Sequence, residues 1–263
     1  MSAMNDICED AAAEHAVLDE LVAPLVAADW DRATPAAGWS IRDQISHLWF
    51  FDQRATMAMS DAARFEADKA ELLAGDRNVD ASVDVGRSIT ADALLTVWRE
   101  DRARMLDVAR SLDPSARVPW YGPAMAARSF ITARLMETWA HGQDVADALG
   151  VVRRPTRRLK HVAHIGVRAR PFSYAIRNMT MPAVDVHVRL LGPDGDTWTW
   201  NDPEAADVVS GPALDFCLVV TQRRHVSDTA LAVTGAAAEE WIGIAQAFAG
   251  APTPGRRPRH EAS

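Results

Sequence analysis

The stretch Glu137-Thr138-Trp139-Ala140-His141-Gly142-Gln143-Asp144-Val145 carries the reading of the fold. Glu137 and His141 are four residues apart, so on a helix they lie one above the other on a single face. Asp144 follows three residues later, near the same stripe. Their neighbours Leu135, Met136, Trp139, Ala140 and Val145 are apolar. Burying a carboxylate without a partner is costly, and a divalent metal ion is one efficient partner. The same pair is also what a surface helix carries as an ordinary ion pair. The stretch predicts a long helix over 124–149, with Gly150 as its C-cap.

A facing helix supplies a third donor. Trp39-Ser40 opens it, with Ser40 as N-cap and Asp43 at the third helical position. Ile41, Ile45, Leu48, Trp49 and Phe51 mark its apolar side, and the helix is expected to reach residue 63 or beyond. His47 sits among these large apolar residues. A histidine so placed is either a hydrogen-bonded core residue or a ligand. Two His and one carboxylate on facing helices of a bundle would hold zinc, or another divalent metal, with coordination positions left open. Asp144 and Asp43 are candidates to orient the ligand imidazoles.

Two more helices complete a bundle. Apolar residues recur at three- and four-residue steps over 5–28, and again over 89–112, where Pro114 ends the run. The polar region 75–87 reads as a loop, and the segment Val118-Pro119-Trp120-Tyr121-Gly122-Pro123 as a turn-rich connection. Trp120 and Tyr121 either line a pocket or pack on the bundle. Beyond the basic run 151–158, read as a linker, the pattern changes. A helix is expected over 157–177, a Val-rich strand over 184–191, a turn at Pro193-Asp194-Gly195-Asp196 and a returning strand over 197–200. A helix over 212–223, a short strand over 231–234 and a closing helix over 236–248 follow. The fold class is mixed: a four-helix bundle over 1–152, then a small α+β domain over 157–250 and a mobile tail over 251–263.

Composition limits the function. The chain has 263 residues, 48% hydrophobic and 24% charged, with a formal net charge of -8. Such a chain buries a core without structural metals, so a metal site would be functional. The acidic balance argues against nucleic acid as a partner. Cys8 and Cys217 form no Cys-x-x-Cys pair, and the N-terminal residues are acidic, without an apolar signal core. No stretch reaches the ~18 apolar residues of a spanning helix. A cytoplasmic protein, monomer or homodimer, acting on a small molecule and not on a membrane, is the expectation. The preference for Arg over Lys, with abundant Ala, Asp and Val, is the usage of a high-GC bacterial genome such as an actinomycete.

The stretch 39–48, WSIRDQISHL, resembles the second-helix motif of the mycothiol-dependent maleylpyruvate isomerase family of DinB-like bundles, and 137–145 resembles its fourth-helix motif. The resemblance implies that His47, Glu137 and His141 bind zinc. The region around 211–224, GPALDFCLVVTQRR, is similar to the family's sterol-carrier-like C-terminal domain and implies a functional arginine, Arg223 or Arg224. It further implies chemistry with a low-molecular-weight thiol such as mycothiol. Addition to an electrophilic double bond followed by expulsion of the thiol gives isomerisation; retention gives S-transfer. A zinc enzyme without thiol and a non-catalytic metal- and ligand-binding protein are the other readings.

Overall fold

The computed structural model describes residues 3–74 and 80–259. They divide into two compact units, Met1–Arg153 and Arg154–Ser263. Among the described residues no helix is long and apolar enough to cross a membrane.

The first unit is built on four long helices. α1 (Ala3–Val22) buries Ile7, Cys8, Ala11, His15, Leu18 and Val22 along one stripe. It ends well before the expected residue 28, because Pro24 lacks an amide hydrogen and biases the residue before it away from helix. A 3-10 turn, Ala27–Asp31, follows. α2 (Ile41–Ser60) starts at a capping box: the Ser40 amide donates to Asp43 Oδ2 at 2.8 Å, and the Asp43 amide donates to Ser40 Oγ at 3.3 Å. It does not run past residue 63. Asp61 leaves helical geometry, and its carboxylate accepts from the Arg64 amide at 3.0 Å, beginning α3 (Ala62–Ala74).

Residues 80–87, expected as loop, form α4 (Asp80–Arg87), while 75–79 lie outside the described residues. The polar side chains there hid a helix whose inner face is small and whose docking depends on α2. Gly86 permits the approach, since a Cβ there would collide with the Ser46 side chain. The Ser46 hydroxyl donates to the Ser82 carbonyl at 2.6 Å and accepts from the Gly86 amide at 2.9 Å.

α5 (Ala91–Arg110) is capped by Thr90, whose hydroxyl accepts from the Ala93 amide at 3.2 Å. A two-stranded antiparallel ribbon, β1 (Arg117–Val118) with β2 (Met125–Ala126), closes the segment between them. It leads into α6 (Ala127–Leu149), which starts three residues later than expected and stops at Gly150 in the left-handed region, φ +69°. α6 packs on α1 and α2, and α5 packs on the same two helices. Leu18, Trp30, Ile41, Ile45, Leu48, Leu94, Trp98 and Val145 share one core.

Arg153, inside the run read as a linker, belongs to this unit. Its guanidinium is paired with buried Glu14 and donates to the Trp139 carbonyl at 2.8 Å. Its charge gave the run a solvent-exposed look that the Glu14 partner, far off in sequence, reverses.

The second unit opens with two helices where one was expected: α7 (Leu159–Arg168) and α8 (Arg170–Ala175), broken ahead of Pro171. β3 (Val186–Leu191) pairs antiparallel with β4 (Thr197–Trp200), the expected hairpin. β5 (Asp207–Pro212) was not read from the sequence, since Gly211 and Pro212 look like a turn; it pairs parallel to β3. α9 (Ala213–Val220) follows directly, then β6 (Ala232–Thr234) and α10 (Ala236–Ile244). The sheet order is β4-β3-β5-β6. Val186, Val188, Leu190, Val209, Phe216 and Trp241 are buried in this unit. Residues of the tail carry hydrogen bonds: the Arg177 guanidinium donates to the Thr253 carbonyl at 2.8 Å, and the Arg259 amide to Asp228 Oδ2 at 3.1 Å. Residues 260–263 lie outside the described residues.

Candidate metal centre

α2 and α6 bring His47, Glu137 and His141 together. One ligand atom from each lies within 4.8 Å of the other two. His141 Nε2 is 3.4 Å from Glu137 Oε2, and the two imidazole centroids are 4.6 Å apart. A tetrahedral zinc with donors at ~2.0–2.1 Å separates its ligand atoms by about 3.3 Å, so the donor set has the right scale. His141 is buried, whereas His47 and Glu137 are half-buried.

Each imidazole has its Nδ1 engaged. His47 Nδ1 is 2.9 Å from Ser82 Oγ, and His141 Nδ1 is 2.5 Å from Gln44 Oε1. For His141 this leaves Nε2 to serve as the metal donor, and for His47 it does so when Nδ1 donates to the serine hydroxyl, the division of labour expected of ligand histidines. Gln44 and Ser82 were not singled out in the sequence. A signal existed for Gln44, an amide three residues before His47 and so near the same helical face. None existed for Ser82, which sits on a helix the sequence hid.

The aspartates expected to support the ligands, Asp43 and Asp144, are both buried. Both Asp43 oxygens are used by the helix cap and by Arg87, whose guanidinium donates at 2.8 and 2.9 Å. Asp144 is buried on α6, 1% exposed.

Aromatic rings wall the centre. Trp39 lies 5.0 Å from the His47 ring and stacks on His141 at 6.0 Å and 16°. Phe51 is 4.7 Å from His47. Trp120 and Tyr121 meet Phe51, at 6.1 and 5.6 Å from it. Trp120 also stacks on Phe65 at 5.5 Å and meets Phe130 edge-on at 5.0 Å, and Tyr121 meets Phe65 edge-on at 5.6 Å. Neither Trp39 nor Phe51 was identified from the sequence as part of the site.

Arg223 and Arg224 follow α9 in the second unit. Arg223 donates to the Thr221 carbonyl at 2.6 Å, and Arg224 to the Arg223 carbonyl at 2.7 Å. The backbone there is a helix-terminating turn, with Gln222 left-handed at φ +58° and the Arg223 amide donating to the Leu218 carbonyl at 2.7 Å.

The chain is similar to two solved structures of a mycothiol-dependent maleylpyruvate isomerase. One match has a TM-score of 0.60 and covers 84% of this chain and 89% of that one. The other, a histidine-to-alanine mutant of the enzyme, has a TM-score of 0.61 and covers 89% and 93%. Both are 16% identical, a likeness of fold. Two uncharacterised proteins of Mycobacterium tuberculosis, from different strains, are each 45% identical over 248 residues, which is 94% of this chain and 96% of theirs. The model of the mycothiol maleylpyruvate isomerase N-terminal domain matches residues 11–146, a span that contains His47, Glu137 and His141. With that match over the helical unit, the chain belongs to the mycothiol maleylpyruvate isomerase N-terminal domain family.

Proposed function

We propose that this protein is a zinc-dependent enzyme that acts on a small electrophilic molecule with a low-molecular-weight thiol such as mycothiol, as an isomerase or an S-transferase. The observation that carries this reading is the convergence of His47, Glu137 and His141 from two facing helices. Family membership supports the thiol. A divalent ion held by these three residues would supply a Lewis acid that lowers the pKa of a thiol brought to it.

The chain's own residues define the rest. Glu137 would offset part of the charge of an ion held there. The rings of Trp39 and Phe51 exclude water from one side of the imidazoles and so strengthen electrostatic interactions there. The protein's own thiols are poor nucleophiles: Cys8 and Cys217 are buried, and burial pushes both pKa values up. An exogenous thiol is therefore the better source of sulfur. Arg223 or Arg224 is proposed to hold a carboxylate of substrate or thiol, and Asp144 to support the centre. A cytoplasmic setting, zinc or a similar divalent ion, and a small molecule as the partner belong to the same reading.

Metal analysis of the purified protein beside His141→Ala tests the site. The wild type is expected to hold about one zinc per chain and the variant little. A full complement in the variant overturns the assignment. Mycothiol is expected to quench tryptophan fluorescence only in the zinc-loaded protein. Turnover that needs water but no thiol would instead mark a hydrolytic zinc enzyme, and ligand binding that survives both His47→Ala and metal removal would mark a binding protein.

A further inference from the structure

The loop 33–40 and the first turns of α2 carry a hydrogen-bond relay that ends on His141. The loop is closed on itself. Ala33 and Ser40 form an antiparallel bridge, and the Ile41 amide donates to the Arg32 carbonyl at 3.0 Å. The amide and the hydroxyl of Thr34 both donate to the Trp39 carbonyl, each at 2.8 Å. A threonine hydroxyl has one hydrogen, and here it is spent on Trp39. Its oxygen can therefore only accept from Gln44, whose Nε2 lies 3.0 Å away. That orientation turns Gln44 Oε1 toward His141 Nδ1 at 2.5 Å. A carbonyl oxygen only accepts, so Nδ1 must carry the hydrogen. In the neutral imidazole the lone pair then lies on Nε2, the nitrogen that faces Glu137.

We propose that Gln44, held in one orientation by Thr34, is the positioning residue that locks His141 in the Nδ1–H tautomer required of a ligand that binds metal through Nε2, and that the loop 33–40 is thereby part of the metal centre. The inference rests on the metal reading above and adds a cause for it. Gln44 is wholly buried, so water does not compete for its amide. The loop that fixes Thr34 also places Trp39 over both imidazoles, which ties ring orientation and tautomer to the same few residues.

The test uses the full chain. Nitrogen-15 NMR of the metal-free protein reports the tautomer of His141, and competition with a chromophoric chelator reports zinc affinity. Circular dichroism checks that each variant is folded. Wild type is expected to show the Nδ1–H form. Gln44→Met, close to the same shape without an acceptor, is expected to lose that preference and to bind zinc about 10–100-fold more weakly. Gln44→Glu keeps an acceptor and is expected to restore both readouts toward wild type. Thr34→Val, which touches neither His nor metal, frees the amide to rotate and is expected to weaken zinc binding in the same direction; it decides the matter if Gln44→Met does not fold. Wild-type affinity and tautomer in Thr34→Val or in Gln44→Met overturn the proposal, as does a Gln44→Glu protein no better than Gln44→Met. A wild-type chain that binds no zinc overturns the metal reading itself and this inference with it. That failure is distinguishable, because all variants are then alike in zinc binding.

Discussion

His15 lies wholly inside the first unit, and its chemistry follows from that. Burial first, then the guanidinium groups of Arg102 and Arg134, hold its pKa down to about 3. In an unfolded chain the same imidazole takes a proton near 6.5. Below that pH the unfolded state binds a proton that the folded state refuses. Stability from neutral His15 is therefore complete above about pH 6.5 and is lost as the pH falls from there toward 3, at no more than ~1.4 kcal/mol per pH unit. His15→Gln is expected to flatten this slope in metal-free protein, read from urea midpoints between about pH 4.5 and about pH 7. A variant with the wild-type slope would assign the effect to another group. The burial of His15 was legible in its spacing from Ala11 and Leu18, four residues after one and three before the other. The two arginines were not legible, because they come from α5 and α6. The same limit applies to Arg134, which pairs with Asp52 at 2.8 Å, both side chains almost fully buried. Either residue alone reads as an exposed charge.

α4 is short, polar and easily taken for loop, yet it carries Ser82 to His47. Its position depends on the contact between Gly86 and Ser46. Gly86→Ala is expected to push α4 away from α2, at a cost of about 1–3 kcal/mol in stability, as an overpacked contact does. Because Ser82 moves with the helix, zinc affinity is expected to fall as well. Removing the opposing side chain with Ser46→Gly in the Gly86→Ala background is expected to recover part of both losses. Thermal unfolding and chelator competition on the same three proteins check this. An alanine variant with wild-type melting and affinity would show that α4 does not support the site. The long helices α2, α5 and α6 were legible because their apolar spacing and their caps at Ser40, Thr90 and Gly150 agree. α4 and β5 were not, because eight residues whose larger apolar side chains are only Val83 and Val85, or a strand ending in Gly-Pro, take their form from the neighbour they pair with.

The molecule consists of two compact units, each with buried apolar residues of its own. A chain so divided is expected to yield folded fragments when separated near residues 153 and 154. The 1–153 fragment is expected to keep helical circular dichroism and zinc binding. At a thousandfold excess over Kd, zinc adds ~4 kcal/mol to the stability of whatever binds it, a rise in melting temperature on the order of 10 °C. Calorimetry should show the rise in the 1–153 fragment and none in 154–263. A zinc-dependent rise in the second fragment, or none in the first, would place the metal elsewhere. At this scale the sequence by itself determined the long helices of the first unit, the β3–β4 hairpin, the change from helices to α+β, and the donors His47, Glu137 and His141 as a candidate set. These follow from periodicity, caps and residue chemistry, which are local. Only the tertiary structure decided that the three donors meet and that Gln44 and Ser82 hold their imidazoles. It also decided that Trp39 walls the site. Those relations join residues from 35 to 97 positions apart, or turn on how a loop closes over a helix. Hydrogen-bond direction and ring contact depend on distance in space, and no spacing along a helix encodes them.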